Sequence, residues 1–147
     1  FQESDVLEKL KIAGYLKKRK EIKASIEYIF DMFPALAKLK TRKDGFMSGG
    51  EQQMLAIGME LVVRPKLLLL DEPLLGLSPM MQQVVMETVV NLKEISGITV
   101  LLSEQFARPV LPVIDRGYVV ENGMLALDGT GEELMDNPEI KSAYFGI

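Results

Sequence analysis

At 147 residues, 48% hydrophobic and 26% charged, the chain is long enough to bury a core and has the composition of an ordinary globular protein. Its net charge of −4 gives no reason to expect a nucleic-acid partner. Zero cysteines exclude disulfides and thiolate metal sites, zero histidines exclude a His-dependent triad, and no apolar run approaches the roughly 18–20 residues a membrane span needs.

Ser4 or Asp5 opens a predicted first helix in which Val6, Leu7, Leu10 and Ala13 share a face. Asp5 and Glu8 stand there at capping-box spacing, and Gly14 is the stop. Lys17-Lys18-Arg19-Lys20 forms a basic run that reads as a solvated connection. Ile22, Ile26, Ile29, Phe30 and Phe33 then make one stripe of a second helix, ended by Pro34. A second basic segment, Lys38, Lys40, Arg42 and Lys43, leads to Ser48 and Glu51, which repeat the capping-box spacing. From Glu51 to about Val63, Met54, Leu55, Ile57, Gly58, Leu61 and Val62 give a helix with a broad apolar face. Capping does not account for Gly49 and Gly50, which remove side chains where backbone N–H groups converge at a positive helix end, the arrangement that accepts phosphate.

Leu67-Leu68-Leu69-Leu70, bounded by Pro65 and Pro73, is too short for a helix and lacks polar alternation, as expected of a strand buried on both faces of a parallel sheet. Asp71 and Glu72 therefore fall at its C-terminal tip, the sheet edge where ligands bind in open α/β folds. Two acids there suit either a solvated turn or Mg²⁺ coordination with activation of a water, and the residues alone leave both open. Gly76-Leu77-Ser78-Pro79 turns the chain into a helix over 81–95, ended by Gly97. Ile98 to Leu102 reads as the next strand, completing a right-handed crossover unit.

Beyond Ser103-Glu104-Gln105, Pro109 and Pro112 break any long helix, so a short or irregular segment is expected over 106–114. Asn122-Gly123, between Tyr118-Val119-Val120 and Met124-Leu125-Ala126-Leu127, predicts a tight hairpin. Thr130 and Glu133 make another capping box, and Asn137 before Pro138 starts a final helix through about Tyr144.

Ser48-Gly49-Gly50-Glu51-Gln52-Gln53 and Leu67 to Pro73 together resemble the signature and Walker B motifs of ABC-transporter ATPase subunits. Glu51 to Gly58, Gly76 to Pro79, Asp115-Arg116-Gly117-Tyr118, Glu121-Asn122-Gly123 and Gly129 to Leu134 resemble the branched-chain amino acid importers, in particular the second of their two ATPase subunits. Met59 and Glu60 depart from the family's usual arginine and alanine, and Pro79 from the aspartate that often ends the 76–79 loop.

The resemblance implies an α/β fold: the distal half of a P-loop ATPase domain, with a parallel-sheet core, a helical subdomain, and a C-terminal hairpin plus helices. Residues 1–63 are then the helical subdomain and signature helix, facing transmembrane permease subunits, and 64–147 the Walker B half of the nucleotide-binding core. It also implies ATP and Mg²⁺ as ligands, with Asp71 holding Mg²⁺ through water, Glu72 polarising the attacking water, and Gln105 in the place of the switch histidine. Ser48, Gly49, Gly50, Glu51 and Gln52 are implied to meet ATP seated in a second ATPase subunit, in a homo- or heterodimer. A periplasmic or extracellular binding protein is an indirect partner, and the expected location is cytoplasmic, peripheral on the inner face of the membrane.

No Gly-x-x-x-x-Gly-Lys-[Ser/Thr] occurs anywhere in the chain. Phe1-Gln2 resembles a point just beyond the family's Q-loop, so about a hundred further residues are expected upstream in a complete ATPase. The chain by itself is then expected to be inactive. The alternative is a non-catalytic interaction module that keeps the signature surface without a nucleotide site of its own.

Overall fold

The computed structural model describes residues 4–145. Phe1 and Gln2, which carry the Q-loop resemblance, lie outside the described residues. Helix α1 (Val6–Ala13) begins at Asp5, whose side chain accepts the Glu8 N–H while Glu8 returns the bond, and ends at Gly14. Helix α2 (Arg19–Met32) buries Ile26 and Ile29. Pro34 does more than end α2: it opens the short α3 (Pro34–Lys38) at its first position, where a missing N–H costs nothing. A 3₁₀ turn (Asp44–Phe46) leads to α4 (Gly49–Leu61), which starts two residues earlier than its apolar face alone suggests because Ser48 is the cap. Val6, Leu10, Ile29, Leu36, Ile57 and Leu61 meet at the centre of these four helices, each at most 1% exposed. Burial of each such side chain contributes about 1.5–3 kcal/mol.

Strand β1 (Leu67–Asp71) pairs in parallel with β2 (Thr99–Ser103), and the 18-residue α5 (Pro79–Ser96) connects them. Gly97, at φ 62°, gives α5 its left-handed end. Burial on both faces of β1 is not observed. Leu68 is 3% exposed beneath the helices, whereas Leu67 and Leu69 are 52% and 64% exposed. The reason lies in the layers: helices cover one face of this two-stranded sheet, and among the described residues nothing covers the other.

The irregular 106–114 segment contains only the four-residue α6 (Ala107–Val110). Strands β3 (Gly117–Glu121) and β4 (Met124–Gly129) form the antiparallel hairpin, with Asn122 and Gly123 both at positive φ in its turn and a bulge at Val119/Val120. Thr130 caps α7 (Gly131–Asp136). The expected final helix is shorter than predicted: α8 (Pro138–Ile140) gives way to a π-helical turn (Lys141–Phe145). β1–β2 and β3–β4 remain separate sheets among the described residues.

Candidate nucleotide site

Parallel pairing sets Asp71, the last residue of β1, beside Ser103, the last of β2, and the Ser103 hydroxyl donates to Asp71 Oδ1. Glu72 comes next with φ 45°, a left-handed backbone that a residue with a Cβ adopts at a cost of order 1–3 kcal/mol. Contacts on either side hold it there: its N–H donates to the Ser103 carbonyl at 2.9 Å, and Pro73 and Leu74 are buried immediately after it. Strain of this kind concentrates where a side chain must be presented.

The second loop of the site leaves β2. Glu104 Oε1 accepts the Leu74 N–H at 2.6 Å, and its Oε2 accepts the Phe106 N–H at 3.4 Å. One carboxylate thus fastens the loop after β1 to the loop after β2. Gln105, between the two ends of that clamp, is exposed at the same sheet tip as Asp71 and Glu72. Neither Glu104 nor Ser103 belongs to a motif legible in the sequence; their adjacency to Gln105 at a strand end is the only sequence signal.

Ser48 to Gln52 lie against the segment that follows Glu72, with Gly49 near Leu77 and Gly50 near Met81. Ser48 Oγ accepts the Glu51 N–H at 3.3 Å, and Glu51 Oε2 accepts the Ser48 N–H at 2.7 Å. That backbone bond, with help from the Ser48 hydroxyl and the charge of Arg42, holds the Glu51 carboxyl below its ordinary value. Gln52 Nε2 reaches the Met47 carbonyl. The two glycines separate. A Cβ on Gly50 would lie 2.3 Å from Met81 Cε and 2.8 Å from Met81 Cγ, so Gly50 has a packing reason beyond any approach of phosphate. Gly49 meets nothing nearer than Leu77 Cδ2 at 3.8 Å, so packing does not account for it. Leu77 and Met81 therefore link the 48–52 turn to the segment that leaves Glu72.

Another contact missed from sequence joins the helices to the sheet unit. Arg64, at φ 54°, lies 3.8 Å over the Tyr28 ring and donates to Ser25 Oγ and the Ala24 carbonyl, while the Tyr28 and Ser96 hydroxyls share a hydrogen bond.

As a cation site, the tip offers only hard oxygen donors. Among the described residues no group of three His, Cys, Asp or Glu side chains could enclose a metal ion. A carboxylate such as that of Asp71 is the kind of donor Mg²⁺ takes from a protein, which usually supplies one or two.

Among the described residues, β2 has no strand on the side away from β1, and β3 none on the side away from β4. A cleft of about 720 Å³ touches both strands, with Val100, Leu102, Gln105, Tyr118 and Val119 in its wall. Among the described residues no helix is long and apolar enough to cross a membrane.

A family profile described as ABC transporter matches residues 1–75. The chain is 42% identical over 146 residues to the high-affinity branched-chain amino acid transport ATP-binding protein BraG of Pseudomonas aeruginosa, covering 99% of this chain and 62% of the relative. It is 36% identical over 147 residues to the probable branched-chain amino acid transport ATP-binding protein LivF of Archaeoglobus fulgidus, again covering 62% of that protein. The chain thus spans about three-fifths of the length of these relatives. A solved ATP-binding cassette of an ABC transporter, in its ADP conformation, superposes with a TM-score of 0.82 at 29% identity, covering 99% of this chain and 64% of that one.

Proposed function

Because the chain belongs to the ABC transporter family, we propose that it supplies the signature and Walker B portion of an ATPase subunit that energises import of branched-chain amino acids. The observation that carries the reading is the joining of Asp71, Ser103, Glu72 and Glu104 at one sheet tip, with the 48–52 turn packed on the segment leaving it. The substrate class comes from the relatives' names. BraG matches over 99% of the chain at 42% identity, whereas BraF of the same organism matches over 76% at 33%, which favours the BraG-like subunit of the pair.

In this reading the cleft between β2 and β3 receives a strand bearing a phosphate loop. Neighbouring strands lie about 4.8 Å apart, so a strand seated beside β2 delivers its own C-terminal loop to the tip. Asp71 would hold Mg²⁺ through water, with one of its carboxylate oxygens fixed by the Ser103 hydroxyl. Mg²⁺ bound there would neutralise charge on the phosphate oxygens. Glu72 orients and deprotonates the attacking water, and Gln105 donates an amide N–H to the terminal phosphate without titrating. Residues 1–63 form the unit that faces permease subunits, and 64–147 the nucleotide unit, peripheral on the cytoplasmic face. A binding protein outside the membrane acts on it only indirectly. Ser48, Gly49 and Gly50 close on ATP held by a second ATPase subunit.

The test joins the chain behind a P-loop segment and compares Ser48 with Ser48→Arg. Nucleotide titration of the monomer should be unchanged, whereas ATP-driven dimerisation in sedimentation and hydrolysis should be lost. Equal dimerisation of the two proteins would leave Ser48 only its capping role and favour a non-catalytic module.

A further inference from the structure

Between α1 and α2 the chain makes a tight turn whose first residue faces inward and whose next two face out. A Cβ on Gly14 would sit 2.7 Å from Val62 Cγ1 and 3.0 Å from Ile22 Cγ1, so the turn is pressed against the end of α4 and the start of α2. Hydrogen bonds from Tyr15 N–H to the Ile12 carbonyl and from Lys17 N–H to the Gly14 carbonyl close it. With Gly14 filling the inner side, Tyr15 and Leu16 project outward, 75% and 82% exposed, and Ile12 beside them is 44% exposed. Leu16 is the most exposed of the large hydrophobic residues described. Desolvation therefore favours an occupant for this tip, and its charge says which kind.

Six cations, Lys11, Lys17, Lys18, Arg19, Lys20 and Lys23, stand between positions 11 and 23 against one acid, in a chain whose net charge is −4. That acid, Glu21, is turned inward on its own helix start, where its Oε2 accepts the Lys18 N–H at 3.2 Å. Lys11, Lys18, Arg19, Lys20 and Lys23 are all exposed, with Lys23 lying 3.9 Å from an acid outside this stretch, Glu27, one turn along α2. Asp5 and Glu8 bond each other's backbone at the opposite end of α1, a helix of eight residues and so about 12 Å long. The tip is therefore an apolar point of one aromatic and one aliphatic side chain ringed by positive charge.

From this geometry we infer that the 11–23 turn touches an anionic phospholipid surface directly, with Tyr15 and Leu16 entering the interfacial layer and the lysines and Arg19 lying among headgroup phosphates. Amphipathic tips with basic flanks are what an interfacial layer retains. Each cation near an anionic leaflet strengthens attachment by about fivefold, and the attraction is screened by salt. This contact does not depend on the nucleotide reading: it requires neither ATP nor a permease.

The chain contains no tryptophan, so Tyr15→Trp installs a single reporter at an exposed position. With vesicles of equimolar phosphatidylcholine and phosphatidylglycerol, its emission should shift to the blue and the chain should co-sediment. Phosphatidylcholine vesicles alone should do neither, and high salt should reverse both. Replacing Lys17, Lys18, Arg19 and Lys20 by glutamine should weaken vesicle binding at least tenfold, as should Leu16→Ser, while circular dichroism stays unchanged. No blue shift and no co-sedimentation with the anionic vesicles would overturn the inference. Equal blue shift with soluble polyglutamate would also overturn it, assigning the tip to an acidic protein instead.

Discussion

Glu104 accepts the backbone N–H of Leu74 at 2.6 Å, across thirty positions of sequence. Leu74 is fully buried, so its N–H depends on that acceptor. Glu104→Ala should therefore lower stability by about 1–3 kcal/mol, the cost of a buried unsatisfied donor. Glu104→Gln keeps an acceptor oxygen and should lose less. Urea denaturation of the three proteins measures both, and a Glu104→Ala variant as stable as its parent would show that the clamp is unimportant.

The two glycines of the 48–52 turn should respond differently. Gly49→Ala adds a Cβ at ordinary contact distance from Leu77 and should leave stability unchanged or slightly raised, since alanine is the better helix former. Gly50→Ala drives its Cβ onto Met81 and should destabilise by about 1–3 kcal/mol unless the methionine turns aside. Met81→Ala should rescue Gly50→Ala specifically. Equal effects of the two alanines in thermal melts would remove the distinction.

Much of this fold was legible because its signals are local. The capping boxes at Asp5, Ser48 and Thr130 span three residues each, the Asn122-Gly123 turn is set by two residues, and all formed as read. The features that the sequence did not disclose depend on partners far along the chain. Four consecutive leucines carry no periodicity to say that Leu67 and Leu69 lie on the uncovered face of β1 while Leu68 is buried. Nothing near Gly50 points to Met81, and nothing near Glu104 points to Leu74. The position of Asp71 and Glu72 at the strand tip was readable from the run and its prolines, but the left-handed backbone of Glu72 was not.

Acid should weaken the start of α4 through Glu51. Its carboxyl accepts the Ser48 N–H and is held below the ordinary value of 4.5. The folded state therefore binds that proton less readily than the unfolded state. The resulting stability is fully present above about pH 4.5 and is lost as pH falls through the lower folded value. Glu51→Gln keeps a capping side chain but cannot titrate. It should flatten this part of the acid limb in pH-dependent melts, and an unchanged limb would deny Glu51 the role.

The 147-residue chain by itself has no phosphate loop and no lysine to accompany one. The N-terminus of α4 could contribute only about 0.3–1 kcal/mol toward an anion. Calorimetric titration with MgATP should therefore register no stoichiometric binding. Micromolar affinity in a monodisperse sample would point to a phosphate site other than the one described.

Glu72 is the residue on which the functional account stands, and hydrolysis is its most direct readout. The chain is joined behind a P-loop segment, and steady-state ATP turnover is compared with that of Glu72→Gln, with nucleotide binding measured in parallel. The amide preserves shape but cannot take the water's proton, so turnover should fall at least about 100-fold while binding is retained. A Glu72→Gln protein that hydrolyses ATP within a few-fold of its parent would contradict the account.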